Sequence, residues 1–228
     1  MDDKKYRAIT TLLIFLTSLA MTSISNANVQ ASVKNKSAYL SRVAATVNPQ
    51  ALNTALTMYY CAASKGINHS RFLTIIDYSL PSNAKRLWLF DVDDNKLLLN
   101  TWVAHGIKSG ELYAQSFSNK HETHKSSIGL FLTGVSYRGE GGYSTRLRGL
   151  SPGFNDNAYA RTIVVHGAWY VSQDFVRKYG RVGRTWGCPA VPVTISRSLI
   201  NIIRNGSLLL VYYPDKNMLG NSQYLTCK

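Results

Sequence analysis

Ile163-Val164-Val165-His166-Gly167, followed by Gly183-Arg184-Thr185-Trp186-Gly187-Cys188-Pro189-Ala190, decides how the rest of the chain is read. Three β-branched apolar residues make a strand of the buried type, and it stops at His-Gly. Cys188 stands 22 residues after His166, in a loop tightened by two glycines. A thiolate nucleophile needs a base or cation within hydrogen-bond reach to lower its pKa. Its attack needs backbone N–H groups aimed at the developing oxyanion. A histidine at a strand end and a cysteine in such a loop supply both, with Cys188 as nucleophile, His166 as base, and the N–H groups of Gly187 and Cys188 as oxyanion donors. Spacing alone also fits a structural thiol beside a core histidine, which is the commoner arrangement.

Outward from this stretch the chain reads as strands. Arg71 to Leu80 is rich in β-formers. The segments Arg86–Val92 and Lys96–Val103 flank Asp93-Asp94-Asn95, a hairpin turn. Ile128–Val135, Thr162–Val165 and Ser207–Tyr213 are further strands, and Val193–Asn205 has helical spacing with Gly206 as its stop. Ser136 to Ala160 reads as a Gly-, Arg- and Asn-rich ordered loop. Before the strands, Leu40, Val43, Ala44, Val47, Leu52, Ala55, Leu56, Tyr59 and Tyr60 recur at three- and four-residue steps. Asn48-Pro49 splits them into two short helices and Gly66 ends the second. The expected fold is mostly β, with a few short helices and a helical N-terminal extension.

The N-terminus reads as an address. Lys4, Lys5 and Arg7 precede an apolar run from Ala8 to Met21, and Ser25-Asn26-Ala27 supplies the small-x-small pattern of a cleavage site. The run is shorter than the ~18–20 residues that span a bilayer, so residues 1–27 are expected to be a cleaved signal peptide, leaving no stable membrane span. Residues 28–66 form the helical extension and residues 67–228 the main domain. With 45% hydrophobic and 17% charged residues and no low-complexity tract, the chain is globular. Its net charge of +14 falls only to +13 without residues 1–27. Such a field attracts polyanions. The basic residues match no nucleic-acid motif, so for an exported chain the expected polyanions are cell-wall polymers, lipid head groups and acidic peptide stems, and nucleic acid is not expected.

The sequence resembles the YkuD-type L,D-transpeptidase catalytic domain, in its murein L,D-transpeptidase-like branch, over about residues 67–213. Ser126-Ser127-Ile128-Gly129-Leu130-Phe131, Ile163–Gly167 and Thr185-Trp186-Gly187-Cys188 resemble that family's ordered motifs. Leu147-Arg148-Gly149-Leu150, Gly153–Ala158 and Tyr170-Val171-Ser172 are similar to the branch as well. The resemblance implies a sandwich-like β fold and acyl transfer on peptidoglycan stem peptides through a Cys188 thioester, in the periplasm or cell-wall space. It implies no cofactor and no metal. Arg184 is then the expected group for the substrate carboxylate, with Tyr143, Arg146, Arg148 and Asn155 as further cleft-wall residues. Two positions depart from the family pattern. Trp186 stands where a second histidine is usual, and Pro189 stands where Arg or Asn is common.

His105-Gly106 echoes His166-Gly167 without a cysteine nearby, which favours a structural or edge-of-cleft role. His121-Glu122-Thr123-His124 lacks the helical four-residue histidine spacing of zinc peptidases. His69 is expected at the surface. Of three cysteines, a nucleophile must stay reduced, leaving Cys61 and Cys227 as the candidate disulfide pair of an exported chain. The alternative places Cys61 in the core and Cys227 on a frayed end. Two other functions remain open: a stem-peptide L,D-carboxypeptidase using the same residues, and a non-catalytic wall-binding module.

Overall fold

Eight strands form one continuous sheet in the order β3-β2-β1-β8-β4-β5-β6-β7. The computed structural model describes residues 30–68 and 70–227; the signal-peptide expectation and the placement of His69 fall outside them. Helix α1 covers residues 30–43. It is followed by α2 (Pro49–Ser64), β1 (Phe72–Asp77), β2 (Leu87–Asp91), β3 (Lys96–Thr101), β4 (Gly129–Gly139) and β5 (Gly142–Gly149). Then come β6 (Val164–Ala168), α3 (Gln173–Tyr179), β7 (Ala190–Pro192), α4 (Val193–Ile203), β8 (Leu208–Tyr212), α5 (Lys216–Gly220) and α6 (Gln223–Thr226). The mostly β architecture with short helices is as expected. β1–β8 and β6–β7 pair in parallel, and the other neighbours are antiparallel.

The central strands are apolar because helices cover the sheet. Every residue of β2 and β8 is buried, as a strand covered on both faces requires. α2 packs on β1 and β8, and α4 on β5 and β6. Pro49 opens α2, where its missing N–H costs nothing, and the Asn48 side chain caps it by accepting from the Gln50 N–H at 2.9 Å. Leu52, Ala55, Leu56 and Ala62 from α2 share one core with Ile75, Phe90, Leu130 and Leu210 from the sheet.

Closure of the sheet matters most for the site. β3 lies at one edge and β7 at the other, yet the chain leaving β3 returns to the far edge. Ala104 bridges Ala190, and Gly106 bridges Thr185. The sheet thus curls into a barrel-like sandwich, and the Cys188 loop lies at its seam.

One sequence reading is corrected. The segment after Val135 is not a loop: β4 runs on to Gly139, turns through Glu140-Gly141, and returns as β5. A register shift between Thr133 and Ser136 interrupts the alternation, so no clean period of two survives in the sequence. Only residues from Ser151 onward form the turn-rich connection to β6.

Cys61, in α2, and Cys227, just past α6, form a disulfide that closes a 166-residue separation. The chain-entropy account gives a closure of this length up to about 5 kcal/mol, with typical bridges at about 2–4. Denatured, unreduced protein should therefore titrate as one free thiol. Cys61→Ala should lower unfolding stability by about 2–5 kcal/mol in denaturant melts; three titrating thiols would contradict the bridge.

Candidate active site

His166 lies near the end of β6, on the face opposite α4. Its strand neighbours show why: Val165 is buried in the core, and a Cβ on Gly167 would stand 2.6 Å from the Ser196 hydroxyl of α4. The His166 Nδ1 lies 3.1 Å from the Gly167 carbonyl. A proton on Nδ1 satisfies that carbonyl and leaves Nε2 as a free acceptor. Burial pushes the imidazole pKa down, partly offset by the Gly167 carbonyl. His166 is therefore neutral at pH 7.

Cys188 is half-buried in a cross-braced loop. The Thr185 N–H donates to the His105 carbonyl at 2.9 Å, and the Ile107 N–H to the Thr185 carbonyl at 2.7 Å. The Thr185 hydroxyl donates to the Cys188 carbonyl at 2.7 Å, and Ser126 Oγ donates to the Gly187 carbonyl at 3.1 Å. Gly187 is required twice over. Its φ is +128°, and a Cβ there would lie 2.8 Å from the Lys125 carbonyl oxygen. The Cys188 thiol donates weakly to the Thr162 carbonyl at 3.8 Å. Burial pushes the thiol pKa up, opposed by a hydrogen bond from the Val164 backbone and by the Arg161 charge.

Two clefts meet at Cys188. One, of about 600 Å³, is lined by His166, Ser144, Tyr137, Tyr170 and Arg184. The other, of about 660 Å³, is lined by His121, Glu122, His124 and Arg161. Trp186 borders both, and its ring stacks on His124 at 5.0 Å with planes 8° apart. Among the described residues no group of three or more His, Cys, Asp or Glu side chains is disposed to hold a metal.

Several expected residues sit elsewhere. The Gly187 N–H is spent on the Thr185 hydroxyl at 3.0 Å, so of the two anticipated oxyanion donors only the Cys188 N–H lacks an acceptor among the described residues. Arg184 lines the His166 cleft, but its guanidinium is paired with Glu111 and also donates to the Gly110 carbonyl. Glu111 also pairs with Arg181, so one carboxylate is shared by two guanidiniums. Asn155 is fully buried. Its amide donates to the Leu130 carbonyl and its side-chain oxygen accepts from the Ser151 N–H, so it holds the loop rather than the cleft. The Tyr143 hydroxyl bonds Ser136 and Asn201 on the α4 side of the sheet. Arg148 is exposed and lines neither cleft. Arg146 lies over the rings of Tyr137 and Tyr159.

His105 proves structural. It is fully buried, its Nδ1 lies 2.7 Å from the Arg86 guanidinium, and its Nε2 lies 3.1 Å from the Gly110 carbonyl. Burial and the Arg86 charge push its pKa down to about 4. Sequence reasoning missed Arg161, which donates to the carbonyls of Ser118 and Lys125 and to Ser127 Oγ beside Cys188. Its place immediately before the His166 strand was a signal, though a generic one.

A family model for the L,D-transpeptidase catalytic domain matches residues 43–212. No curated protein matches the chain. Among solved structures it is similar to an L,D-transpeptidase from Mycobacterium smegmatis, with 12% identity over 63% of this chain and 59% of that one and a TM-score of 0.40. One from Xylanimonas cellulosilytica shows 14% identity over 67% and 68%, with a TM-score of 0.38. One from Stackebrandtia nassauensis shows 12% identity over 70% and 66%, with a TM-score of 0.39. The chain thus spans less than two thirds of the length of the first of these.

A raised thiol and a lowered imidazole make a neutral resting pair. The rate of Cys188 alkylation by iodoacetamide should therefore climb with pH through and beyond the ordinary thiol value of 9.0. A rate already at its plateau by pH 6–7 would mean a preformed thiolate–imidazolium pair and contradict the geometry.

Proposed function

Because the chain belongs to the L,D-transpeptidase catalytic domain family, we propose that it performs cysteine-dependent acyl transfer on the peptide stems of peptidoglycan. The observation that carries the reading is the shared cleft of Cys188 and His166, with Nδ1 of the histidine committed to the Gly167 carbonyl and Nε2 left free.

In the first step His166 Nε2 takes the thiol proton as the sulfur attacks the carbonyl of an L-configured stem residue. The Cys188 N–H donates to the oxyanion. The tetrahedral adduct collapses with loss of the terminal D-amino acid, whose amine receives the proton back from His166, and a thioester remains on Cys188. In the second step an amine of another stem attacks the thioester and His166 accepts its proton; collapse of this second adduct breaks the C–S bond, and His166 returns the proton to the departing Cys188 sulfur. Two clefts converging on one sulfur suit a reaction with a donor and an acceptor. Water in place of the amine gives hydrolysis, the L,D-carboxypeptidase outcome.

The substrate lies outside the cell membrane, and the basic start, apolar run and small-x-small site of residues 1–27 support export to the periplasm or cell-wall space. The described residues contain no helix long and apolar enough to cross a membrane. The positive net charge favours residence among anionic wall polymers.

Purified protein incubated with defined muropeptides, read by mass spectrometry, tests the reading: loss of a terminal amino acid with new cross-links supports transfer, loss alone supports hydrolysis, and unchanged muropeptides contradict both. Cys188→Ala should lower turnover by several orders of magnitude, whereas Cys61→Ala and Cys227→Ala should retain the chemistry. His166→Gln should fold normally and slow both turnover and Cys188 alkylation. An unchanged alkylation rate would remove His166 from the role of base.

A further inference from the structure

Trp169 directly follows β6 and stands 76% exposed. Its neighbours turn the other way: Ala168 and Val171 join Val182 and Ala190 in a small core. The Trp169 ring makes T-shaped contacts with Tyr170 at 5.7 Å and with Phe175 at 5.9 Å between centroids. Phe175 in turn meets Tyr179 at 4.4 Å, and Tyr179 is 53% exposed. Tyr170 lines the cleft shared by His166 and Cys188. Four rings therefore run without a break from that cleft out across the surface.

The backbone holds this track in place. Phe175 and Tyr179 are four residues apart on α3, so one helix face presents both. No residue of α3 is fully buried, and only its ends are firmly fixed. The Ser172 hydroxyl accepts from the Phe175 N–H at 3.2 Å, and the Gly180 N–H donates to the Val176 carbonyl at 2.8 Å. The Gly180 carbonyl accepts from the Asn83 amide at 3.0 Å. At the cleft end, a Cβ on Gly183 would stand 2.4 Å from the Tyr170 ring, so glycine leaves that ring its seat.

Charge contributes little to this face. Of the charged residues of α3, Arg177 is paired with Asp174, and the Lys178 ammonium lies 5.2 Å from the Tyr179 ring centroid. The chain as a whole is strongly basic, yet here it offers ring surface. Exposed aromatic faces suit a ligand whose C–H bonds form an apolar, slightly positive surface. A pyranose ring has such a face and keeps its hydroxyls in water. An anionic lipid surface would instead select unpaired cations.

We propose that Tyr170, Trp169, Phe175 and Tyr179 form a glycan-binding track, which holds the amino-sugar strand while the stem it carries enters the Cys188 cleft. The proposal rests on the stem-peptide reading above and extends it from the stem to the strand. Because track and cleft are continuous, two parts of one polymer are held together, and binding the strand raises the local concentration of stems. Strand-linked stems are then better substrates than free ones.

Two measurements test this. In the first, the uncharged tetramer of N-acetylglucosamine, which carries no peptide, is titrated into the protein and followed by amide shifts in NMR. Wild type should bind it with shifts centred on residues 169–180. Trp169→Ala should weaken binding about 10-fold, and Tyr39→Ala, which removes an exposed ring on α1, should not. In the second, kcat/KM is compared for a free stem tetrapeptide and for the same stem on a short glycan strand. Trp169→Ala and Phe175→Ala should each lower the strand-linked value about 10-fold, mainly through KM, and leave the free stem unchanged. An unchanged rate of Cys188 alkylation by iodoacetamide shows that each variant is folded. The proposal is overturned if wild type fails to bind the tetramer, if Trp169→Ala binds it equally well, or if wild type turns over both stems equally. Trp169-dependent binding to phosphatidylglycerol vesicles without tetramer binding would overturn it in favour of a lipid surface. If the tetramer binds through Trp169 but neither stem is processed, the track stands and the stem-peptide reading falls.

Discussion

A buried cation organises the ground beneath Cys188. Arg86 is fully buried and donates to the carbonyls of Leu80 and Val103 and to Nδ1 of His105. Burial lowers its pKa to about 10, which leaves it charged at neutral pH. The face of Tyr78 lies 4.8 Å from its charged carbon and helps to hold that charge. An unpaired buried charge is costly, so the segment that satisfies it has little freedom to move. That segment is Val103 to Gly110, which crosses from β3 to the far edge of the sheet and carries the His105 carbonyl to the Thr185 N–H. The Cys188 loop is therefore fixed from behind by a network whose donors and acceptors are already matched.

The same arrangement accounts for the two departures from the family pattern. Trp186 adds no second imidazole to the site. It stands 76% exposed, stacks on His124, and forms a partition between the two clefts. Pro189 adds no polar side-chain group either, but its carbonyl accepts from the His166 N–H at 3.4 Å and ties the Cys188 loop to the His166 strand. In the proposed mechanism, proton transfer then falls to His166 alone.

Much of the fold was legible because local rules agreed with tertiary packing. The Asp93-Asp94-Asn95 turn joins β2 and β3 with Asn95 at a φ of +55°, and Asn48-Pro49 caps α2. Val193–Ile203 forms α4 with Gly206 shortly beyond it. The Cys188 and His166 motifs were legible for a different reason: each needs an unusual backbone or a strand end, and both leave a mark in the sequence. The β4–β5 hairpin was not legible, because an irregularity at Gly134-Val135 breaks its alternation and Arg146 and Arg148 occupy one face. Nor were the partners of the arginines. Arg184 meets Glu111 across 73 residues, and Arg161 meets Ser118 across 43. Composition lists such charges, but only the folded register decides which are spent. The Gly187 N–H was misjudged on the same ground, since nothing in a Thr-Trp-Gly-Cys string says that the threonine hydroxyl takes it.

The central claim is covalent, and the covalent species can be weighed. Wild-type protein is incubated with a stem tetrapeptide and no acceptor, quenched in acid, digested, and analysed by mass spectrometry. The account predicts an acyl group equal to the stem minus its terminal amino acid, attached to Cys188 and released by hydroxylamine. Continued release of the terminal amino acid with Cys188 unmodified, or with the acyl group on another residue, would contradict it.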